Sequence, residues 1–99
     1  MKASIAIQIL PNMGTTEETV RVVDEVIAYI RSTGLNYYVG PFETTIEGED
    51  FDQLMEIISG CVKTAEKAGS ESVSAYVKIR YAPNKTILTI DEKVTKHHK

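Results

Sequence analysis

The chain has 99 residues, 42% of them hydrophobic and 25% charged, which fits one globular domain with a modest core and excludes a second. A formal net charge of -3 and a pI near 5.3 speak against nucleic acid as a partner, since neutralising phosphates takes clustered Lys and Arg, and mildly favour a cationic small ligand. Cys61 is the single cysteine, which excludes an internal disulfide and a thiolate cage for zinc, and no apolar run approaches the ~20 residues of a membrane span, so the expected location is cytoplasmic.

Residues 4–10 alternate, with Ile5, Ile7 and Ile9 on one face and Ser4, Ala6 and Gln8 on the other, which predicts a half-buried strand that Pro11 ends. Thr15 stands three residues before Glu18, the spacing of a capping box, and a helix is predicted from there. Val20, Val23, Val26, Ile27 and Ile30 supply its apolar stripe, and Gly34 its left-handed end. Residues 36–42 and 44–47 are rich in β-formers and predict a hairpin with its connection near residues 41–43. Asp50 and Gln53 repeat the capping logic before a second amphipathic helix that carries Phe51, Leu54, Met55, Ile58, Cys61, Val62 and Ala65 and stops at Gly69. Cys61 falls on its buried side. Residues 72–81 alternate again, Val73, Ala75, Val77 and Ile79 against Ser74, Tyr76, Lys78 and Arg80, which predicts the fourth strand. Residues 86–90 read as a short strand, and Thr89 with Glu92 as a third capping box before a short terminal helix.

The fold class is therefore α+β, in the order βαββαβ plus a tail, all in one domain over residues 1–99. Right-handed crossovers wind that order into a ferredoxin-like, four-stranded antiparallel sheet with both helices on one face. With Ile5, Ile7, Ile9, Val77 and Ile79 toward the helices, Ala6, Gln8, Tyr38, Thr45, Glu47, Tyr76 and Lys78 share the opposite face. A mixture of small, aromatic and hydrogen-bonding side chains suits contact with a ligand or with a second sheet, and we read it as an oligomer interface, the alternative being a solvated surface.

Glu47 beside Thr44 and Thr45 reads either as a polar pocket or as a solvent-facing strand residue paired with Lys78 or Arg80. Tyr37 and Tyr38 put one ring on each face of their strand, so one serves the core while the other is free to stack on a flat or cationic ring. His97 and His98 close the chain without further ligands beside them, so no metal is expected. No nucleophile has a base at a recognisable spacing and no glycine-rich phosphate loop is present, so no catalytic residue and no cofactor are assigned. The run Met13-Gly14-Thr15-Thr16 offers backbone N–H groups to an anion, but the capping pair already takes them.

Four segments resemble the small thiamine-binding protein family, the single-domain relatives in the YkoF-like superfamily: Ile5-Ala6-Ile7-Gln8-Ile9-Leu10-Pro11, Gly34-Leu35-Asn36-Tyr37, Thr44-Thr45-Ile46-Glu47-Gly48-Glu49 and Glu92-Lys93-Val94. The resemblance implies a non-catalytic homo-oligomer, a dimer of dimers built by packing sheets, that binds thiamine or its hydroxymethylpyrimidine part in a cleft. It points to Thr44 and Glu47 for polar recognition and to Tyr37 or Tyr38 as the stacking wall, with Thr45 and Asn36 as second choices. Thr44 and Glu47 alternate onto opposite sides of a regular strand, so both serve one ligand only through a bend or a neighbouring subunit. The competing expectations are a structural or regulatory homo-oligomer without a ligand and, last, an enzyme of thiamine salvage.

Overall fold

The structure is a computed structural model and describes residues 2–97. Its elements run β1 (Ala3–Pro11), α1 (Thr16–Ser32), β2 (Tyr37–Val39), β3 (Thr44–Gly48), α2 (Phe51–Lys67), β4 (Val73–Tyr81) and α3 (Ile90–His97). The four strands form one antiparallel sheet in the order β2-β3-β1-β4, so β1 is central and β4 is an open edge. The predicted βαββαβ order and fold class are those observed.

Register decides which side chains meet. Ile5 lies between Ile46 and Ile79, and Ile46 lies beside Tyr37, which makes one row across the sheet. The next row is Tyr38, Thr45, Ala6 and Lys78, and because the pleat alternates it points the other way. Ile5, Ile7 and Ile46 are buried with Leu54, Ile57, Cys61 and Ala65 of α2 and with Val22, Val26 and Ile30 of α1. Each of these helices therefore docks a single stripe onto the sheet.

The stripe of α1 differs from expectation at one position. Val22 heads it, whereas Val20 is 52% exposed. Two residues turn a helix by about 200°, so the two valines cannot share a face. On α2, Ile57 joins Leu54, Cys61 and Ala65 in the buried set, while Phe51, Met55, Ile58 and Val62 of the predicted stripe are half-buried. Burial pushes the Cys61 thiol up to about 11, which keeps it a protonated apolar filler at neutral pH.

The caps behave as short-range chemistry predicts, with local exceptions. Thr15 accepts from the Glu18 N–H, but the Glu18 carboxylate turns to Arg21, 2.9 Å away, instead of closing the box. Arg21 in turn donates to the Ala68 carbonyl at 2.8 Å and so ties α1 to the end of α2. Asp50 accepts from the N–H groups of Asp52 and Gln53. Gly34 adopts φ +77° just after the cap of α1, where an L side chain would be strained. The hairpin turns over residues 40–43, closed by the Gly40 N–H donating to the Glu43 carbonyl at 2.9 Å.

Two features depart from the predicted tail and outer face. Residues 86–89 form no strand: after the turn at Pro83 and Asn84, the chain leaves the ladder, and the Thr89 backbone and hydroxyl are taken up in the cap of α3. The outer face is not bare either, since α3 folds over its β2–β3 half and buries Ile90 and Ile87. The expectation about a metal at His97 and His98 falls on side chains outside the described residues.

The helix layer is closest at Gly60, where a Cβ would fall onto the Tyr29 ring. Alanine is the better helix former by about 1 kcal/mol, yet Gly60→Ala is expected to destabilise the protein by about 1–3 kcal/mol, because α1 and α2 must part or the ring must leave its place. Chemical denaturation measures this directly. A variant as stable as the parent would show that the contact is loose.

Candidate functional site

The site is built around Glu47. Its position on β3 aims the side chain at the outer face, where α3 covers it to 3% exposure. One carboxylate oxygen accepts from the Asn36 amide at 2.7 Å, and the other from the Ile90 backbone N–H at 2.7 Å. A buried carboxylate is tolerated when both oxygens are satisfied, and here it also meets the positive end of a helix. Neither Lys78 nor Arg80 is its partner; Lys78 pairs with Glu43 at 3.1 Å.

The start of α3 is secured twice. Thr89 and Glu92 form a complete capping box, each backbone N–H donating to the other's side chain at 3.1 Å. The Thr89 backbone N–H, and after it the Thr89 hydroxyl, hold the Glu92 carboxyl below its ordinary value. Glu47 then takes the Ile90 N–H, so local and tertiary acceptors divide the free donors of the first turn.

The residues singled out from the sequence separate onto two faces. Tyr38, Thr45 and Glu47 lie on the outer face, and Asn36 reaches them through its bond to Glu47. Thr44 lies in the row of Val39, Ile7 and Val77, toward the helices, where it borders a cavity of about 220 Å³ walled by Ile7, Val26, Ile30 and Phe42. Tyr37 also faces the helices, and its hydroxyl accepts from the Arg31 Nε at 3.0 Å. Thr44 and Glu47 thus stand apart in one subunit, and of the two tyrosines Tyr38 is the free one, 42% exposed.

Two hollows open on the outer face. The smaller, about 90 Å³, lies between the sheet and α3 and is lined by Tyr38, Thr45, Ile90, Lys93 and Val94. The larger, about 250 Å³, is a trough toward β4 whose walls include Ser4, Ala6, Thr45, Lys78, Arg80 and Lys93. They share Thr45 and Lys93, and together they reach the lower end of the ~300–1,000 Å³ typical of small-ligand sites. The contributions of Ile90, Lys93 and Val94 were not assigned from the sequence. The terminal capping box signalled the helix, but nothing local signals where that helix lands.

A family model described as "Thiamine-binding protein" matches residues 5–98. The chain belongs to that family. A UPF0045 protein of Clostridium perfringens is 42% identical over 94 residues, covering 95% of each chain. Among solved structures, a DUF77 domain from Bacillus cereus superposes with a TM-score of 0.86 at 33% identity, covering 99% of this chain and 91% of that one. A Thermotoga maritima protein given a suggested role in thiamine biosynthesis or salvage does so with a TM-score of 0.82 at 28% identity, covering 99% and 100%. No helix among the described residues is long and apolar enough to cross a membrane.

The carboxylate carries a prediction for this thiamine-binding family member. Glu47→Ala leaves the buried Ile90 N–H without an acceptor, which costs about 1–3 kcal/mol. Amides of the α3 first turn are expected to exchange about tenfold faster or more, while those of β1 and β3 keep their protection, because the loss falls on a local opening. Hydrogen exchange followed by NMR measures both. Unchanged exchange in α3 would remove Glu47 as its anchor.

Proposed function

We propose that this protein binds thiamine, or the hydroxymethylpyrimidine part of it, without transforming it, and does so as a homo-oligomer. The family match over residues 5–98 carries this reading. The outer-face hollow beside Tyr38 supports it, because an aminopyrimidine is a flat ring with donors and acceptors at its edge. An aromatic wall and a hydroxyl answer those two needs.

In this reading Tyr38 stacks on the ring and Thr45 bonds its edge, both from the floor of the pocket that α3 roofs. Glu47, with Asn36 bonded to it, holds Ile90, which is part of the lining. Both Glu47 oxygens already have donors, so its first role is to hold the roof and orient the Asn36 amide. Thr44 and Tyr37 support the same strands from the core side.

The far end of the outer face suits a sister chain. Leu10 and Tyr76 are 42% and 65% exposed there, beyond the reach of α3. Covering them by sheet packing, in a dimer of dimers, leaves the roofed end for the ligand. Exposed apolar groups of this size commonly mark contact surfaces when they cluster on one face.

Titration calorimetry on the full chain is expected to give saturable heat with thiamine or with hydroxymethylpyrimidine, and Tyr38→Ala to weaken binding about tenfold through the lost stacking surface. Absence of heat from both compounds overturns the binding reading and leaves a structural oligomer. Light scattering reads the assembly separately, and a lone 11.0 kDa particle would overturn the oligomer.

A further inference from the structure

The trough toward β4 is lined by cations from two elements. Lys78 and Arg80 rise from the edge strand, Lys93 reaches over from α3, and the floor between them is made of the small residues Ser4, Ala6 and Thr45. Register explains the shape: Ala6 lies between Thr45 and Lys78, and Ser4 lies between Glu47 and Arg80. Short side chains on β1 therefore leave a depression, and longer cationic ones on β4 border it.

Such a convergence is unexpected on a chain of net charge -3. Like charges crowded around one hollow repel unless something neutralises them. On α1, Arg21 is flanked by Glu18 and Glu25. Here Glu43 balances Lys78 from the rim, but neither Arg80 nor Lys93 has an acidic partner among the described residues. Two cations, the Ser4 and Thr45 hydroxyls and a concave floor together match a compact anion with several acceptor oxygens.

We infer that the trough holds the phosphate of a phosphomonoester whose ring lies in the adjoining pocket under α3. The ligand class is an aminopyrimidine phosphate, either the phosphorylated pyrimidine alone or the monophosphate of the whole vitamin. This rests on the function proposed above and narrows it. The two hollows share Thr45 and Lys93, so a ring against Tyr38 and a phosphate near Arg80 belong to one continuous ligand. Tyr38 and Lys78 are three inter-strand steps apart, about 14 Å between backbones, and Lys93 shortens that span from above. A phosphomonoester carries about -1.5 to -2 charges at neutral pH, which these groups attract. An unphosphorylated thiazolium in the same place would bring a further positive charge to Arg80 and Lys93. The acidic net charge had suggested a cationic ligand, whereas the local field at this trough has the opposite sign.

Four compounds test the inference by calorimetry on the full chain: hydroxymethylpyrimidine, its monophosphate, thiamine and thiamine monophosphate. At least one ester is expected to bind about tenfold tighter or more than its parent alcohol, with a gap that narrows as salt rises. Which ester shows the gap identifies the source of the phosphate. Arg80→Gln and Lys78→Gln, both at exposed positions where the fold is not at stake, are expected to bring ester and alcohol to equal affinity. Esters that bind no tighter than alcohols would overturn the phosphate site while leaving the proposed function standing. A gap that survives both substitutions would place the phosphate elsewhere and overturn it too. Silence from all four compounds would remove the proposed function along with it.

Discussion

The outer half of this structure depends on one buried carboxylate. Glu47 accepts from Asn36 and from the Ile90 backbone at 2.7 Å each, and without the second contact α3 has no polar tie to the sheet among those described. Its burial is favourable only because both oxygens are met, one of them at the positive end of a helix. The arrangement makes α3 a roof as well as an appendage, and so creates the hollow bounded by Tyr38, Thr45 and Val94. A solvent-facing carboxylate at the same position would leave a flat sheet.

That constraint divides the two faces by role. Toward the helices, Ile5, Ile7 and Ile46 share one buried cluster with the apolar stripes of α1 and α2, and the hydrophobic effect supplies most of the stability. Toward α3, the sheet offers Ser4, Ala6 and Thr45, too small to form a core, and the covering helix is short and tied to the sheet by the bond from Ile90 to Glu47. A stable inner layer beside a lightly held outer one is a sound basis for a binding surface. Local openings cost less there than global unfolding.

Charge is distributed along the same division. The excess of carboxylates lies on the helices and loops, whereas Lys78, Arg80 and Lys93 gather around one trough. Net charge taken over the whole chain therefore does not give the sign at this trough. Electrostatic attraction between exposed groups is screened within about 8–10 Å at ordinary salt, so the local arrangement sets the field in the trough.

Short-range patterns accounted for most of the fold. Alternation in β1 and β4, the capping residues Thr15, Asp50 and Thr89, and the glycines at positions 34 and 69 marked the elements, because strand period, helix caps and backbone sterics act within a few residues. They also showed that Thr44 and Glu47 face opposite ways and that one of Tyr37 and Tyr38 belongs to the core. The partners of Glu47, the landing place of α3 and the meeting of Lys93 with Arg80 were not legible there. Each joins residues more than ten positions apart, and such contacts follow from strand register and chain path, which no local propensity encodes. Local chemistry thus set the pieces and their faces, and the packing of distant segments made a pocket of them.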